Sequence, residues 1–395
     1  MLAVQRTAGV LMTYDFIVVG AGMAGCSLAY ELARFARVCL LEAESQPGMH
    51  ATSRSAALFA ASYGGREIRA ITRASRAFFD RPPAGFSDHP LLLERGCLYI
   101  ARADQSARLG QMVDGINASG GNIAIISRQE AFAHVPLLRE DYLWGAALES
   151  DAMDIDVHAL QQGFLRGARA AGAVLVTNAK VSNVGHRSGV WSIALGDGLV
   201  SAPVLINAAG AWADEVAELC GALPIGLQPL RRTALLVDPP DGLDIRRWPA
   251  VVDVDEMFYL KPDATRLLLS PADETPQSPG DAQPEEMDVA VGVDRMQAAL
   301  DIEVRRVSRS WAGLRTFSPD RVPVLGFDPH AAGFFWCAGQ GGYGIQTAPA
   351  MARIAAALVK HESLPADIAS EGLHASDLSP LRFMERTDPN RRENK

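Results

Sequence analysis

The chain is short of cysteine, of basic charge and of long apolar runs, and each shortage closes off a class of protein. Its five cysteines (Cys26, Cys39, Cys97, Cys220 and Cys337) are odd in number and scattered. No Cys-x-x-Cys pair occurs, so neither a disulfide framework nor a metal site is expected, and a reducing, cytoplasmic setting is. The net charge of -9 leaves no basic surplus to attract nucleic acid or an anionic membrane. No apolar run reaches the length of a bilayer span, so no transmembrane segment is expected. Met1 to Leu11 carry one Arg and no long apolar core, which argues against a signal peptide. Met12 is a second candidate start, and residues 1–11 and 387–395 read as flexible ends. No repeat of about 20–50 residues is found, which leaves a solenoid or propeller unsupported. With 395 residues, 48% of them hydrophobic, the chain can bury a large core and has room for two domains.

Against that background one stretch organises the rest: Tyr14-Asp-Phe-Ile-Val-Val-Gly20-Ala-Gly22-Met-Ala-Gly25. The apolar run Phe16 to Val19 reads as a buried parallel strand, and a helical pattern (Ala24, Leu28, Leu32) starts at once after the glycines. In a dinucleotide-binding turn Gly20 makes the tight bend, Gly22 lets backbone approach a pyrophosphate, and Gly25 lets helix and strand pack closely. The helix N-terminus offers free N–H groups and partial positive charge to phosphate oxygens. A second apolar strand, Val38 to Leu41, ends in Glu42 and Ala43, where a carboxylate can accept from a ribose. The glycines alone do not separate NAD from FAD, and a plain glycine-rich turn stays open as the bland reading.

Next comes a loop of small residues, His50-Ala-Thr52-Ser53-Arg54-Ser55-Ala56-Ala57. Its hydroxyls could serve phosphate or flavin oxygens and its alanines leave room for a flat ring; equally, Ser53 or Ser55 could cap a helix in a solvated loop. His50 could be a base, although a loop histidine bonded to backbone is the commoner case. Helices are expected over 67–79, 104–119 and 287–300, with another opened by Asp154-Ile-Asp156, and a strand over 96–101. Val204 to Asn207 with Ala208, Ala209 and Gly210 repeats the strand, glycine turn and helix pattern. The strand-dense run from Leu227 to Ser270 suggests an antiparallel sheet. Near the far end stand Trp311-Ala-Gly-Leu-Arg315 and Gly341-Gly342-Tyr343-Gly344-Ile345-Gln346-Thr347, the latter leading into a helix from Ala348 to Val359.

Together these blocks resemble the FAD-dependent D-amino acid oxidase superfamily, which includes glycine oxidase, sarcosine oxidase and D-amino acid dehydrogenases. The resemblance runs from Tyr14 to about Leu381. Within the superfamily, Gln46-Pro-Gly48, Arg54 to Ala57, Ala74 to Asp80, Pro82 to Phe86 and Gln340 to Thr347 look most like the bacterial D-arginine dehydrogenases. It implies an α/β fold: a Rossmann-like FAD-binding domain (12–57, 152–226, 308–375) with an inserted α+β substrate domain (58–151, 227–307) holding a mainly antiparallel sheet. It also implies non-covalent FAD. Glu42 would bind the adenosine ribose, Ala24 and its helix the pyrophosphate, and Val181 the adenine. Residues 51 to 57 would lie beside the pyrophosphate and isoalloxazine, and Gly342 to Gln346 at the flavin's pyrimidine end. There a helix N-terminus favours the negative charge of the reduced ring.

The implied reaction is hydride transfer from the α-carbon of an amino acid to flavin N5, leaving an imine that hydrolyses to a 2-oxo acid and ammonia. The acceptor of the electrons would be a quinone or oxygen. Arg232 and Arg315 would hold the substrate carboxylate through bidentate forks. Tyr63 and Tyr259 would add hydroxyl donors, and the carbonyl of Gly342 would accept from the amine. Arg231, facing away from Arg232 on its strand, is expected in solvent. Read without the resemblance, Tyr63 and Tyr259 are as well explained as core.

Two departures bear on the substrate. Cys97 stands where the D-arginine dehydrogenases have the glutamate that receives the substrate's cationic side chain, and Leu58 replaces a histidine. An uncharged pocket is expected, with neutral or apolar D-amino acids preferred, because an unpaired buried charge costs several kcal/mol. The alternatives are a glycine or sarcosine oxidase-like enzyme, a 2-hydroxy acid dehydrogenase on the same scaffold, or a flavin-binding protein without catalysis.

Overall fold

The structure, a computed structural model, describes residues 11–196 and 198–384; the expected flexible ends lie outside these, except Leu11. Phe16–Val19, apolar at every position, can only sit with both faces covered. It lies inside a six-stranded sheet. In spatial order the strands are Val174–Val176, Val38–Leu41, Phe16–Val19, Val204–Asn207, Phe334–Ala338 and Val324–Phe327, all parallel except the last. Side chains alternate between two cores. Phe16, Val18, Leu40, Ile206 and Phe335 pack under the helices Met23–Leu32, Val157–Ala170 and Ala348–Val359. Ile17, Leu41, Leu205, Phe334 and Trp336 face the helix Ala213–Leu219 and a four-stranded sheet that includes Val190–Leu195 and Gly198–Ala202. Leu11, expected in the flexible end, opens a strand Leu11–Thr13 that pairs with Gly198–Ala202.

The register aligns Leu41, Val19 and Asn207 in one row, with Trp336 beside Asn207. The turns after these strands therefore emerge at the same edge, where the crevice of a doubly wound sheet lies. At that edge Gly20 takes φ +99°, a conformation closed to other residues without strain, and a Cβ there would sit 2.5 Å from the carbonyl oxygen of Ala208. A Cβ on Gly25 would lie 1.8 Å from the carbonyl oxygen of Gly20. The strand and helix are thus in backbone contact at this point.

Beyond the crevice stands a nine-stranded sheet in which every pairing but one is antiparallel. Its longest members, Gln228–Val237 and Val307–Phe317, pair along almost their whole length. The second of these begins where the sequence reading starts the last FAD-binding segment, and it is hydrogen-bonded into the substrate-side sheet. The helix expected after Asp154-Ile-Asp156, over 157–171, lies where the sequence puts it. Met153–Ile155 is a strand, and Asp156 caps the helix Val157–Ala170 by accepting from the N–H of Ala159 at 2.8 Å.

Replacing Gly25 by Ala should lower stability by about 2 kcal/mol or more through overpacking. Gly115→Ala, on an exposed helix position with nothing within 4 Å of the new Cβ, should raise it by about 0.8 kcal/mol. Denaturant unfolding of the two variants beside the parent protein measures both.

Candidate active site

An elongated cavity of about 380 Å³ runs between the two sheets. At one end it is bounded by Glu42, Ala43 and Val181, along its length by Gly20, Gly22, Ala24, Thr52, Ala209 and Gly210, and at the other end by Arg315, Gly342, Gly344 and Ile345. The polar groups of the first half are already oriented. Glu42 is buried, with one oxygen accepting from the N–H of Ala21 at 2.9 Å and the other from Glu44 at 3.0 Å. Each oxygen keeps a lone pair for a ligand hydroxyl. Thr52 lines the cavity and keeps its hydroxyl hydrogen free while its oxygen serves backbone. Its Oγ1 accepts from the N–H of Met23 at 3.0 Å and so caps the first helix. That leaves the N–H groups of Gly22 and Ala24 without internal acceptors among the described residues, both at the cavity wall.

The loop after Glu42 differs from expectation in three places. Ser53 is exposed and spends its hydroxyl on the carbonyl oxygens of Met49 and His50, outside the cavity. No helix begins at Ser53 or Ser55; residues 51–54 are turn. His50 bonds a side chain, not backbone: its Nε2 is 2.9 Å from Glu44 Oε1, while its Nδ1 is buried without a partner among the described residues. Ser55 and Ala56 line the cavity, as does Arg54, whose guanidinium donates to the carbonyl oxygens of Ala282 and Ala312 at 2.8 Å and pairs with Asp281. Trp311 Nε1 donates back to the carbonyl oxygen of Arg54 at 3.1 Å. Arg54 thus clamps the cofactor-side loop to the strand that carries Arg315.

At the far end the antiparallel register sets Arg232 opposite Gly313 and Arg315 opposite Leu230. With period-two alternation, Arg232 and Arg315 share one face as diagonal neighbours. Arg231 takes the other face, and it is not in solvent. It is 5% exposed and paired with Glu285 and with Asp288 at 2.8 Å. Arg232 donates to the carbonyl oxygen of Asp273 at 2.8 Å and to Glu274 at 3.1 Å, a carboxylate it shares with Arg321. Arg315 is different. Its NH1 reaches the hydroxyl of Tyr63 at 3.3 Å and its NH2 that of Tyr259 at 3.4 Å, and among the described residues no carboxylate lies within 4 Å of it. Burial would push the Tyr259 phenol up, but the two guanidiniums outweigh it and hold it lower than usual. Gly342 lies against Arg315; a Cβ there would be 2.9 Å from NH1. The N–H groups of Gly342, Gly344 and Ile345 have no acceptor among the described residues and border the cavity, whereas that of Gly341 is used on Thr316. Tyr343 is outside the cavity lining and packs edge-on against Tyr63, ring centroids 4.9 Å apart. Gln346 holds the turn to its neighbours, donating to Thr72 at 2.9 Å and accepting from the N–H of Ala60 at 3.3 Å.

A second cavity of about 100 Å³ opens from this end and shares Arg232, Tyr259, Arg315 and Gly342 with the first. Leu58 and Cys97 both line it, with Ala57, Ala60 and Val252. The expectation of an uncharged pocket is corrected: Glu256 and Lys261 also border it. Neither residue type was weighed in the sequence because both come from a turn and a strand with no motif around them. Lys261 Nζ is 2.5 Å from Asp154, which also takes Arg95 at 2.7 Å.

A long cavity at the carboxyl edge of a doubly wound sheet, with an acid at one end and unused N–H groups along it, defines a dinucleotide-dependent oxidoreductase. The model of the FAD dependent oxidoreductase family (DAO) matches residues 15–358. The chain belongs to that family: it is an FAD-dependent oxidoreductase. It is 25% identical to glycine oxidase of Geobacillus kaustophilus, over 90% of this chain and 95% of that one. It is 24% identical to hydrogen cyanide synthase subunit HcnC of Pseudomonas aeruginosa, again over 90% and 95%. The mitochondrial dimethylglycine dehydrogenase of Mus musculus matches 90% of this chain at 24% identity, but only 43% of its own length is covered. Among solved structures, glycine oxidase from Geobacillus kaustophilus superposes with a TM-score of 0.78 at 23% identity, covering 89% of this chain and 95% of that one. L-proline dehydrogenase from P. horikoshii gives 0.82 at 19%, covering 95% and 99%. Among the described residues no helix is long and apolar enough to cross a membrane.

The fit of FAD to the cavity is testable at Glu42. An amide in its place has one acceptor oxygen where two N–H groups need one each, so Glu42→Gln should weaken flavin retention roughly tenfold or more. Fluorescence titration of the apoprotein with FAD reads the change.

Proposed function

We propose that the protein oxidises a small amino acid at the carbon bearing the amine, giving the 2-oxo acid and ammonia. A D-amino acid with a neutral or apolar side chain is the preferred substrate. The observation that carries this reading is Arg315, a guanidinium held by two phenols with no carboxylate of its own among the described residues. A half-buried cation left in that state is stabilised by a bound anion, and a planar fork suits a carboxylate. Arg232 stands beside it on the same sheet face, with its charge partly met by Glu274. In this reading Tyr63 and Tyr259 steady the carboxylate and the carbonyl of Gly342 accepts from the amine.

FAD, held non-covalently, supplies when bound the acceptor for the hydride that leaves the α-carbon. The chain supplies position: the carboxylate is fixed at Arg315, and the α-carbon is thereby carried toward the Gly342–Ile345 turn. Unpaired N–H groups on Gly342, Gly344 and Ile345 favour negative charge at that end of the site. Electrons pass on to a quinone or to oxygen. We assign 12–57, 152–226 and 308–375 to the cofactor side and 58–151 and 227–307 to the substrate side. The strand Val307–Phe317 joins the two.

Leu58, Cys97, Ala60 and Val252 support an apolar side chain in the smaller cavity. Lys261 at its border opposes a second cation, and Glu256 is exposed, where water weakens its attraction. The small volume of that cavity also favours a second reading, glycine or an N-methylated glycine, in keeping with the names of the relatives.

Arg315→Met should lower kcat/KM for amino acids by about a hundredfold, equivalent to about 3 kcal/mol, with flavin content unchanged. A panel of D- and L-amino acids, N-methyl amino acids and 2-hydroxy acids, scored by anaerobic bleaching of the flavin, tests the substrate class. D-Arg as the best substrate by kcat/KM would overturn the preference proposed here. Cys97→Glu should improve D-Arg and D-Lys relative to neutral substrates. Hydrogen peroxide formation under air separates an oxidase from a dehydrogenase.

A further inference from the structure

Behind the smaller cavity is an acid that the site as described does not use. Glu149 ends the strand Gly145–Glu149, directly across the antiparallel ladder from Cys97, and is 1% exposed. Among the described residues no cation lies within 4 Å of it. Its Oε1 accepts from the backbone N–H of Ser62 at 3.1 Å, and its Oε2 is hydrogen-bonded to the Ser62 hydroxyl. That hydroxyl is 2.8 Å from the Tyr99 hydroxyl, and Tyr99 is at the cavity wall beside Cys97 and Tyr63. An unbroken line of hydrogen bonds thus leads from the cavity into the sheet interior.

The direction of that line follows from counting protons. Serine has one hydroxyl hydrogen. When Glu149 is ionised, Ser62 must donate to it, so Tyr99 must donate to Ser62 and the free lone pair of Tyr99 is offered to the cavity. When Glu149 is protonated the line can reverse, and Tyr99 then offers a proton instead.

We propose that Tyr99, Ser62 and Glu149 form a proton relay that takes the ammonium proton of an amine substrate out of the cavity before its hydride is lost. This rests on amine oxidation as the reaction of the site. In one concerted shift the ammonium proton passes to the Tyr99 oxygen, the Tyr99 proton to Ser62, and the Ser62 proton to Glu149. An ammonium and a carboxylate become a neutral amine and a carboxylic acid, and no electrons move between groups. Only the neutral amine has the lone pair that drives hydride departure, so the relay prepares the step that follows.

The setting suits an acid that must change state near neutrality. Burial is the main cause that pushes the Glu149 carboxyl up, to about 7; the Ser62 bonds oppose it and the nearby Asp151 carboxylate adds to it. Facing the group are Cys97 and Tyr99 from the neighbouring strand, Ser62 from the loop and Asp151 from the turn that follows, while Glu256, beyond the Ala250–Asp253 strand, acts on Cys97. Burial raises the Cys97 thiol and the Tyr99 phenol above their usual values, so neither competes for the proton near neutrality.

The holoenzyme tests this with the best amine of the panel. For the parent protein, kcat/KM should fall tenfold per pH unit below about 7. Glu149→Gln and Tyr99→Phe should lose ten- to a hundredfold at pH 8 and no longer show that limb. Tyr99→Phe keeps the ring and serves if Glu149→Gln fails to hold flavin. Independently of turnover, infrared difference spectra between pH 9 and 5 should show a protonated-carboxyl band with its midpoint near 7, absent in Glu149→Gln. An unchanged low-pH limb in a flavin-replete Tyr99→Phe or Glu149→Gln overturns the relay, and so does the absence of that band. If no amine bleaches the flavin at any pH, the amine reading itself fails and the relay has no proton to carry, even where the band titrates.

Discussion

The pairing of Gln228–Val237 with Val307–Phe317 is the constraint on which the site depends. A shift of one residue in that register would turn Arg315 to the face opposite Arg232. In the observed register two guanidiniums lie side by side, an arrangement that costs energy unless anions are near. Glu274 meets part of that cost for Arg232. Among the described residues no carboxylate does the same for Arg315, whose neighbours are the neutral phenols of Tyr63 and Tyr259. The cavity is therefore electrostatically incomplete at one point, and the chemistry of what completes it is narrow.

The cofactor end works in the opposite way. There the side chains are fixed before any ligand arrives: Glu42 by two backbone N–H groups, Thr52 by the N–H of Met23, and the loop by the Arg54 clamp. A pre-set binding surface loses little conformational entropy on loading. The two ends thus divide the labour: one is pre-set, with the N–H groups of Gly22 and Ala24 left for the ligand, and the other holds an unmet charge.

Much of this was legible in the sequence where the signal is local. The strand Phe16–Val19, the glycine turn and the helix Ala348–Val359 follow from apolar runs and glycine spacing. Long-range pairing left no such trace. The partnership of Leu11–Thr13 with Gly198–Ala202, the place of Val307–Phe317 in the second sheet and the burial of Arg231 depend on neighbours distant in the chain. The use of Ser53 on nearby carbonyls, and the cap that Thr52 adds to its place in the cavity wall, were hidden because any hydroxyl in a loop can bond backbone, face a ligand or do both. Glu149 was invisible for a plainer reason. In Ala-Leu-Glu-Ser it reads as an ordinary solvated acid, and only the fold shows that the sheet closes over it.

The order of strands in the cofactor sheet has a consequence for how the protein is made. Phe16–Val19 leaves the ribosome early, yet Phe334–Ala338, which completes the central sheet beside Val204–Asn207, is among the last strands synthesised. Until then the edge of the buried strand Val204–Asn207 is open, and such edges are prone to pair with other chains. The nine-stranded sheet lies in the interval, and its own last strand, Val307–Phe317, is also late. Neither sheet can close before strands far apart in the chain have met, and pairing across such separations slows folding.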